Sequence, residues 1–168
     1  VAVLAEIENL SGQPCDGEIM FCIGGVGDRK TSFEGLAPGR KSVEAVFDVP
    51  NPSLWWPRPL GEAHLYNLDV RLHCRGMLCG SRTLRFGIRE ITLLQEPLDG
   101  APGGTTFNFL VNGEKCFING ANWAPSDCIL ARITPERRRR LLSLVLDANL
   151  NMLRVWGGGI YEEEDFYD

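Results

Sequence analysis

Two stretches in the last third of the sequence set aromatic rings beside polar and charged groups. The first reads Gly120-Ala121-Asn122-Trp123-Ala124-Pro125-Ser126-Asp127, the second Arg154-Val155-Trp156-Gly157-Gly158-Gly159-Ile160-Tyr161-Glu162. An indole offers a flat apolar face, and amides, carboxylates and guanidiniums offer directional hydrogen bonds; a sugar needs both. Three glycines in a row beside Trp156 allow close backbone approach and unusual dihedrals there. Composition leaves a second reading open, with Trp123 and Trp156 as core rings and Arg154 as a structural ion-pair member. Glu162, Glu163 and Glu164 are expected to complement a helix amino end rather than to transfer protons.

The elements that must position these loops follow from periodicity. Phe107 to Val111 and Glu114 to Ile118 flank Asn112-Gly113, a strong hairpin signal because both turn positions require positive φ. The loop Ala121 to Ile133 leads to a helix start with Thr134 as N-cap, Pro135 at the first helical position and Glu136 in the first turn. Leu141, Leu142, Val145, Leu146 and Ala148 form its apolar stripe, with Arg137 to Arg140 expected as a solvated face. Asn149 ends the helix, and Met152 to Val155 is a short apolar strand. Strand, loop, helix, strand is the rhythm of a parallel sheet, and it places both aromatic loops at strand carboxyl ends.

From Val1 to about Leu94 the period is two. His64, Tyr66, Leu68, Val70, Leu72 and Cys74 fall on one face of an extended run, and Val43, Ala45, Phe47 and Val49 alternate with polar residues in the same way. Runs at Val3 to Ile7, Ile19 to Ile23 and Leu84 to Ile88 complete the set, with turns at Ser11-Gly12, Gly24-Gly25, Pro38-Gly39 and Arg75-Gly76. This pattern and length predict an immunoglobulin-like β-sandwich. The fold expectation is therefore mixed: a sandwich over residues 1–94, a Gly- and Pro-rich linker over 95–106, and over 107–168 the first two βα elements of an incomplete (β/α)8 TIM barrel. Roughly sixty residues cannot close a barrel that takes ~250, so the chain is expected to be a fragment.

Across 168 residues, 17 Lys and Arg against 22 Asp and Glu give a net charge of −5. No long single-sign block accompanies it, so neither nucleic acid nor an anionic membrane is an expected partner. The Gly24-Gly25-Val26-Gly27 run lacks the Lys-Ser/Thr of a phosphate loop, and no metal, nucleotide or other cofactor is expected. Six cysteines without metal-ligand spacing are expected to be reduced packing residues, which mildly favours a cytoplasmic origin. Trp55 and Trp56 are expected to anchor the sandwich, and His64 and His73, on opposite strand faces, to be structural.

Taken together, Val111-Asn112-Gly113, the loop Gly120 to Asp127, Arg132-Ile133-Thr134, the run Ala148 to Gly159, Tyr161-Glu162 and Phe166-Tyr167-Asp168 resemble family 2 glycoside hydrolases, and within them the β-mannosidase branch. Asn51-Pro52-Ser53-Leu54-Trp55-Trp56-Pro57, Gly61-Glu62, Leu65-Tyr66 and Phe86-Gly87-Ile88-Arg89 resemble the domain that precedes the barrel in that family. The resemblance implies retaining hydrolysis of terminal β-mannosides by two glutamates that lie on later barrel strands. No catalytic residue is therefore expected in this chain, and alone it is expected to be inactive. The resemblance makes Asn122, Trp123, Asp127, Arg154 and Trp156 the candidate substrate-binding residues, with Arg154 holding the nucleophile carboxylate and Trp156 forming a subsite wall. Exo-β-glucosaminidases and endo-β-mannosidases share much of the Arg154 to Gly159 stretch, and a non-catalytic carbohydrate-binding sandwich is the alternative outside the enzyme class. The implied partners are a β-mannoside or related oligosaccharide and the remaining domains of the same polypeptide.

Overall fold

The computed structural model describes residues 1–167; Asp168, the last residue of the Phe166-Tyr167-Asp168 motif, lies outside the described residues. Two compact units are present. One comprises Val1–Trp55 with His64–Ile88, and the other comprises Trp56–Ala63 with the chain from Arg89 onward.

The first unit is a β-sandwich. Strands β1 (Ala2–Asn9) and β4 (Gly39–Val46) pair antiparallel in one sheet. The facing sheet has the order β3-β2-β5-β6, from β2 (Cys15–Ile23), β3 (Gly27–Leu36), β5 (Tyr66–Cys74) and β6 (Met77–Phe86), and all its pairs are antiparallel. The alternation seen in the sequence places its apolar set inward. Ile19, Phe21 and Ile23 of β2 meet Val43, Ala45 and Phe47 across the two layers, and Ile7, Phe33 and Leu68 join the same buried cluster. Arg75 and Gly76, both at positive φ, close the β5–β6 hairpin as their turn signal predicts. Trp55 serves as an anchor here: its backbone N–H donates to Ile88 O at 2.9 Å, and its ring lies against Gly87, where any Cβ would come within 2.8 Å of it.

In the second unit, β7 (Ile91–Leu94), β8 (Asn108–Val111) and β9 (Glu114–Cys116) form a three-stranded antiparallel sheet. Ile91 to Leu94, assigned from the sequence to the end of the sandwich, thus pairs with β8 in this unit. The stretch 95–106 is a hairpin connection rather than an extended tether, because Thr106 N–H donates to Glu96 O at 2.8 Å and Leu98 N–H to Gly104 O at 3.0 Å. Asn112 and Gly113 both take positive φ at the β8–β9 turn. Next come β10 (Gly120–Trp123), the helix α1 (Pro135–Asp147) and β11 (Met152–Val155), with β10 and β11 parallel and α1 as their crossover. Thr134 caps α1 by accepting from Arg137 N–H, and Asn149 leaves the helix at φ 53°. A short helix α2 spans Glu164–Tyr167.

The basic run on α1 departs from the expected solvated face. Arg138 is buried and makes a two-pronged contact to Asp165 of α2, with a further donation to Ile133 O at 3.5 Å. Arg137 reaches back to Ser126 O and to Asp127 at 3.3 Å. The apolar stripe is less covered than its pattern suggests: Leu141, Leu142 and Val145 are half-buried, whereas Leu146 is exposed. All six cysteines are free thiols. No helix among the described residues is long and apolar enough to cross a membrane.

Candidate functional site

Parallel register fixes what the two aromatic loops can share. Gly120 pairs with Met152, Ala121 with Leu153, Asn122 with Arg154 and Trp123 with Val155. Side chains alternate along each strand, so Asn122 and Arg154 leave one face of the β10–β11 pair while Trp123 and Val155 leave the other. Paired asparagines hold the amino ends level. Asn151 N–H donates to Asn119 O at 2.8 Å, Asn119 N–H donates to Asn151 Oδ1 at 3.0 Å, and Asn119 Nδ2 donates to Asn149 O at 3.1 Å. Gly120 permits the close approach, since a Cβ there would lie 2.7 Å from Met152 O. The ladder then runs one step past the strands, through Trp156 N–H to Trp123 O at 2.8 Å.

On the first face, Arg154 Nη1 donates to Asn122 Oδ1 at 3.2 Å. Both residues line a groove of about 740 Å³ together with Met152, Phe107, Phe109 and Phe117. The arrangement has an exposed cation with free donor capacity, an amide that orients it, and apolar rings nearby. Such a set can hold a carboxylate or a sugar hydroxyl edge in a fixed direction.

On the opposite face, Trp123 is only 7% exposed. Its Nε1–H donates to Glu162 Oε1 at 2.9 Å, and its ring packs on Phe166 with centroids 4.9 Å apart. Glu162, also 7% exposed, is therefore a buried acceptor and not simply an acid at a helix start. The Arg138–Asp165 pair lies on α1 and α2, and the guanidinium's pKa is raised chiefly by its hydrogen bond to Asp165, with the charges of Glu162 and Glu163 adding to it. Sequence reasoning missed this cluster. The available signal was Arg138 sharing a helix face with Leu141, Leu142 and Val145 at spacings of three, four and seven.

Asp127 joins neither face. Its Oδ1 accepts from Ile129 N–H at 2.9 Å, while its Oδ2 meets Arg137 at 3.3 Å and Arg132 at 3.9 Å. The Ile129 hydrogen bond, with Arg132 and Arg137 behind it, holds its carboxyl below the ordinary range. These contacts fix the shape of the first loop. Trp156 is 51% exposed and lines a separate recess with Ile160 and Tyr161. Its six-membered ring lies over Gly158, where a Cβ would fall 2.6 Å from it, and Gly159 sits against Pro125 of the first loop with a would-be Cβ 3.0 Å away. The three glycines therefore supply clearance. None of them takes positive φ. The structure brings Asn122 and Arg154 into one groove, leaves Trp156 in a separate recess, and places Trp123 and Asp127 in supporting contacts. Among the described residues no group of three or more His, Cys, Asp or Glu is placed to hold a metal ion.

Comparison with known proteins agrees with this architecture. Over 162 residues the chain is 34% identical to "Beta-mannosidase" of Bos taurus, covering 95% of this chain and 18% of the bovine protein. The crystal structure of a β-D-mannosidase from Dictyoglomus thermophilum superposes with a TM-score of 0.83 at 35% identity, over 99% of this chain and 20% of that one. An exo-chitosanase of Amycolatopsis orientalis superposes with a TM-score of 0.77 at 26% identity, over 99% of this chain and 18% of that one. The chain thus spans about a fifth of the length of these relatives. The model of the family "Glycosyl hydrolases family 2" matches residues 1–89, more than half of the chain, and the chain belongs to that family.

Proposed function

We propose that these residues are part of a retaining exo-glycosidase that hydrolyses terminal β-mannosides. On this reading the sandwich, which ends at Ile88, is an immunoglobulin-like domain, and the stretch from residue 107 onward holds the first two βα elements of a (β/α)8 barrel. The observation that carries the reading is the Asn122–Arg154 pair, set on one face at the carboxyl ends of two parallel strands, where barrel enzymes build their sites. The naming of relatives at 34% and 35% identity as β-mannosidases supports the glycone.

The chemistry divides between this chain and the rest of the polypeptide. Two glutamates outside these residues serve as nucleophile and as acid and then base, with carboxyls ~5–5.5 Å apart so that a covalent glycosyl-enzyme forms. Arg154 donates to the nucleophile carboxylate, keeping it ionised and aimed, and Asn122 orients the guanidinium through the 3.2 Å hydrogen bond. Trp156, an exposed indole lying over Gly158, forms a wall for the sugar ring. Trp123 and Asp127 act on the sugar subsite through the loops they hold.

The test uses the full-length polypeptide on p-nitrophenyl β-D-mannoside and p-nitrophenyl β-D-glucosaminide. Mannoside turnover with retention of anomeric configuration is expected, and Arg154→Ala should lower kcat/KM by roughly 100-fold, about 3 kcal/mol. Hydrolysis of neither substrate would refute the reading. A preference for the glucosaminide would favour the second reading, an exo-β-glucosaminidase, which the likeness to the exo-chitosanase supports.

A further inference from the structure

Cys15, Cys74 and Cys79 meet at one end of the sandwich, and strand register puts them there. Cys15 opens β2, Cys74 closes β5, and Gly17 of β2 pairs with Cys74. Just past that pair, Arg75 N–H donates to Asp16 O at 3.2 Å, which holds the end of β5 beside the start of β2. Counting by twos along each strand, Cys15 falls in step with Ile19, Phe21 and Ile23, and Cys74 with Leu68. Both therefore lie on the face that carries the buried core. Cys79 is the extra residue of a bulge, because Leu72 pairs with Gly80 and His73 with Leu78. It stands two residues past Met77, the ladder partner of Cys74, and so shares that face.

The contacts agree with the register. The Cys74 thiol is in hydrogen-bonding contact with both Cys79 and Cys15. Cys79 Sγ also donates to Met77 O at 3.4 Å, and Cys15 Sγ to Asp16 O at 3.4 Å. Accessibility is graded across the cluster, with Cys79 exposed and Cys15 and Cys74 half-buried. One thiol thus faces solvent while a second waits beside it.

We propose that this cluster is a site of reversible thiol oxidation, at which a small-molecule disulfide such as oxidised glutathione converts Cys79 and Cys74 into a disulfide across the β5–β6 hairpin. The exposed Cys79 reacts first. It gives its proton to solvent, and its thiolate attacks one sulfur of the glutathione disulfide. That S–S bond breaks, a glutathione thiolate leaves, and a mixed disulfide forms on Cys79. Cys74 then loses its proton to solvent and attacks Cys79 Sγ, expelling the second glutathione thiolate. Two cysteines are oxidised, one glutathione disulfide is reduced to two glutathiones, and the departing thiolates take up the two protons. Cys74 suits the second step and not the first, because burial holds its thiol protonated while adjacency replaces a chance encounter. Cys79 is the partner rather than Cys15 because a bulged residue is outside the ladder and can adjust to the geometry of an S–S bond. Cys15 is held in register against Leu36 of β3. The bond fastens β6, an edge strand exposed along nearly its whole length, to β5. The inference is independent of which sugar the protein cleaves.

The test incubates the folded full-length polypeptide with oxidised glutathione, blocks the remaining thiols with an alkylating reagent, and maps tryptic peptides by mass. Cleavage after Arg71, Arg75 and Arg82 separates Cys74, in residues 72–75, from Cys79, in residues 76–82. The disulfide should appear as these two peptides joined, and dithiothreitol should release them. In Cys74→Ser, glutathione should stay trapped on Cys79, arriving at least ~10-fold faster than it reaches Cys74 in Cys79→Ser. Absence of the joined peptides from the unsubstituted protein would overturn the proposal, as would a link from Cys74 to Cys15 in their place. Joining that occurs only in urea would overturn it too, because it would report the unfolded chain. Equal rates in the two variants would overturn the order of attack.

Discussion

Replacing Trp123 by Phe isolates what holds the outer face of β10. The substitution removes the Nε1–H that meets Glu162 Oε1 at 2.9 Å, in a place where both residues are 7% exposed. A hydrogen bond to a charged acceptor contributes about 1.5–3 kcal/mol. Shrinking the indole to a phenyl ring gives up roughly 40 Å² of apolar contact, about 1 kcal/mol. The expected loss is therefore about 3 kcal/mol, a fall in melting temperature of roughly 6–12 °C. Equilibrium urea unfolding followed by circular dichroism measures it. The decisive comparison is a double-mutant cycle with Glu162→Leu. Each single change strands one buried polar group, whereas the double change removes both, so a coupling of about 1.5–3 kcal/mol is expected. Additivity within about 0.5 kcal/mol would refute the buried hydrogen bond and with it the assignment of Trp123 to the supporting face.

Other consequences are equally open to measurement. Gly120→Ala sets a Cβ 2.7 Å from Met152 O and should destabilise the β10–β11 pair by about 1–3 kcal/mol, seen as faster amide exchange at Asn122 and Arg154. The folded-state pKa of Asp127 is depressed below the ordinary 3.8, so its contribution is fully present above that pH and is lost as pH falls through the lower folded value. Asp127→Asn should therefore flatten the acid limb of a stability–pH curve below about pH 4, and an unchanged limb would contradict the role. The Cys74 thiol is pushed up to about 12, first by burial and then by hydrogen bonding with Cys79 and Cys15. At pH 8 the exposed Cys128 should react with a thiol reagent well before Cys74, as mass spectrometry of labelled peptides would show.

Much of the framework was legible because it rests on local rules. The period-two runs of β2 and β5 gave their own inward faces, Asn112-Gly113 and Arg75-Gly76 marked hairpin turns that the backbone adopts, and Thr134-Pro135-Glu136 marked the start of α1. What escaped depends on partners far away in sequence. Strand β3 has few inward apolar residues beyond Phe33, so its alternation was too weak to read. Ile91 to Leu94 looked like a last sandwich strand because pattern reveals a strand but not its partner. The candidate site divides in the same way. Asn122 and Trp123 are neighbours in sequence, and only strand register shows that the pleat sends them to opposite faces. Arg138 looked solvated within four arginines because Asp165, which buries it, stands 27 residues away.

The contact between Gly159 and Pro125 ties the tip of one aromatic loop to the body of the other. A ligand that pressed on the indole of Trp156 would thus push the Pro125 segment too, transmitting the load to the Asp127 brace and onward into the first turns of α1. The rim is built to yield as one piece, so ligand-induced broadening or shift at Trp156 should be mirrored at Ser126 and Asp127.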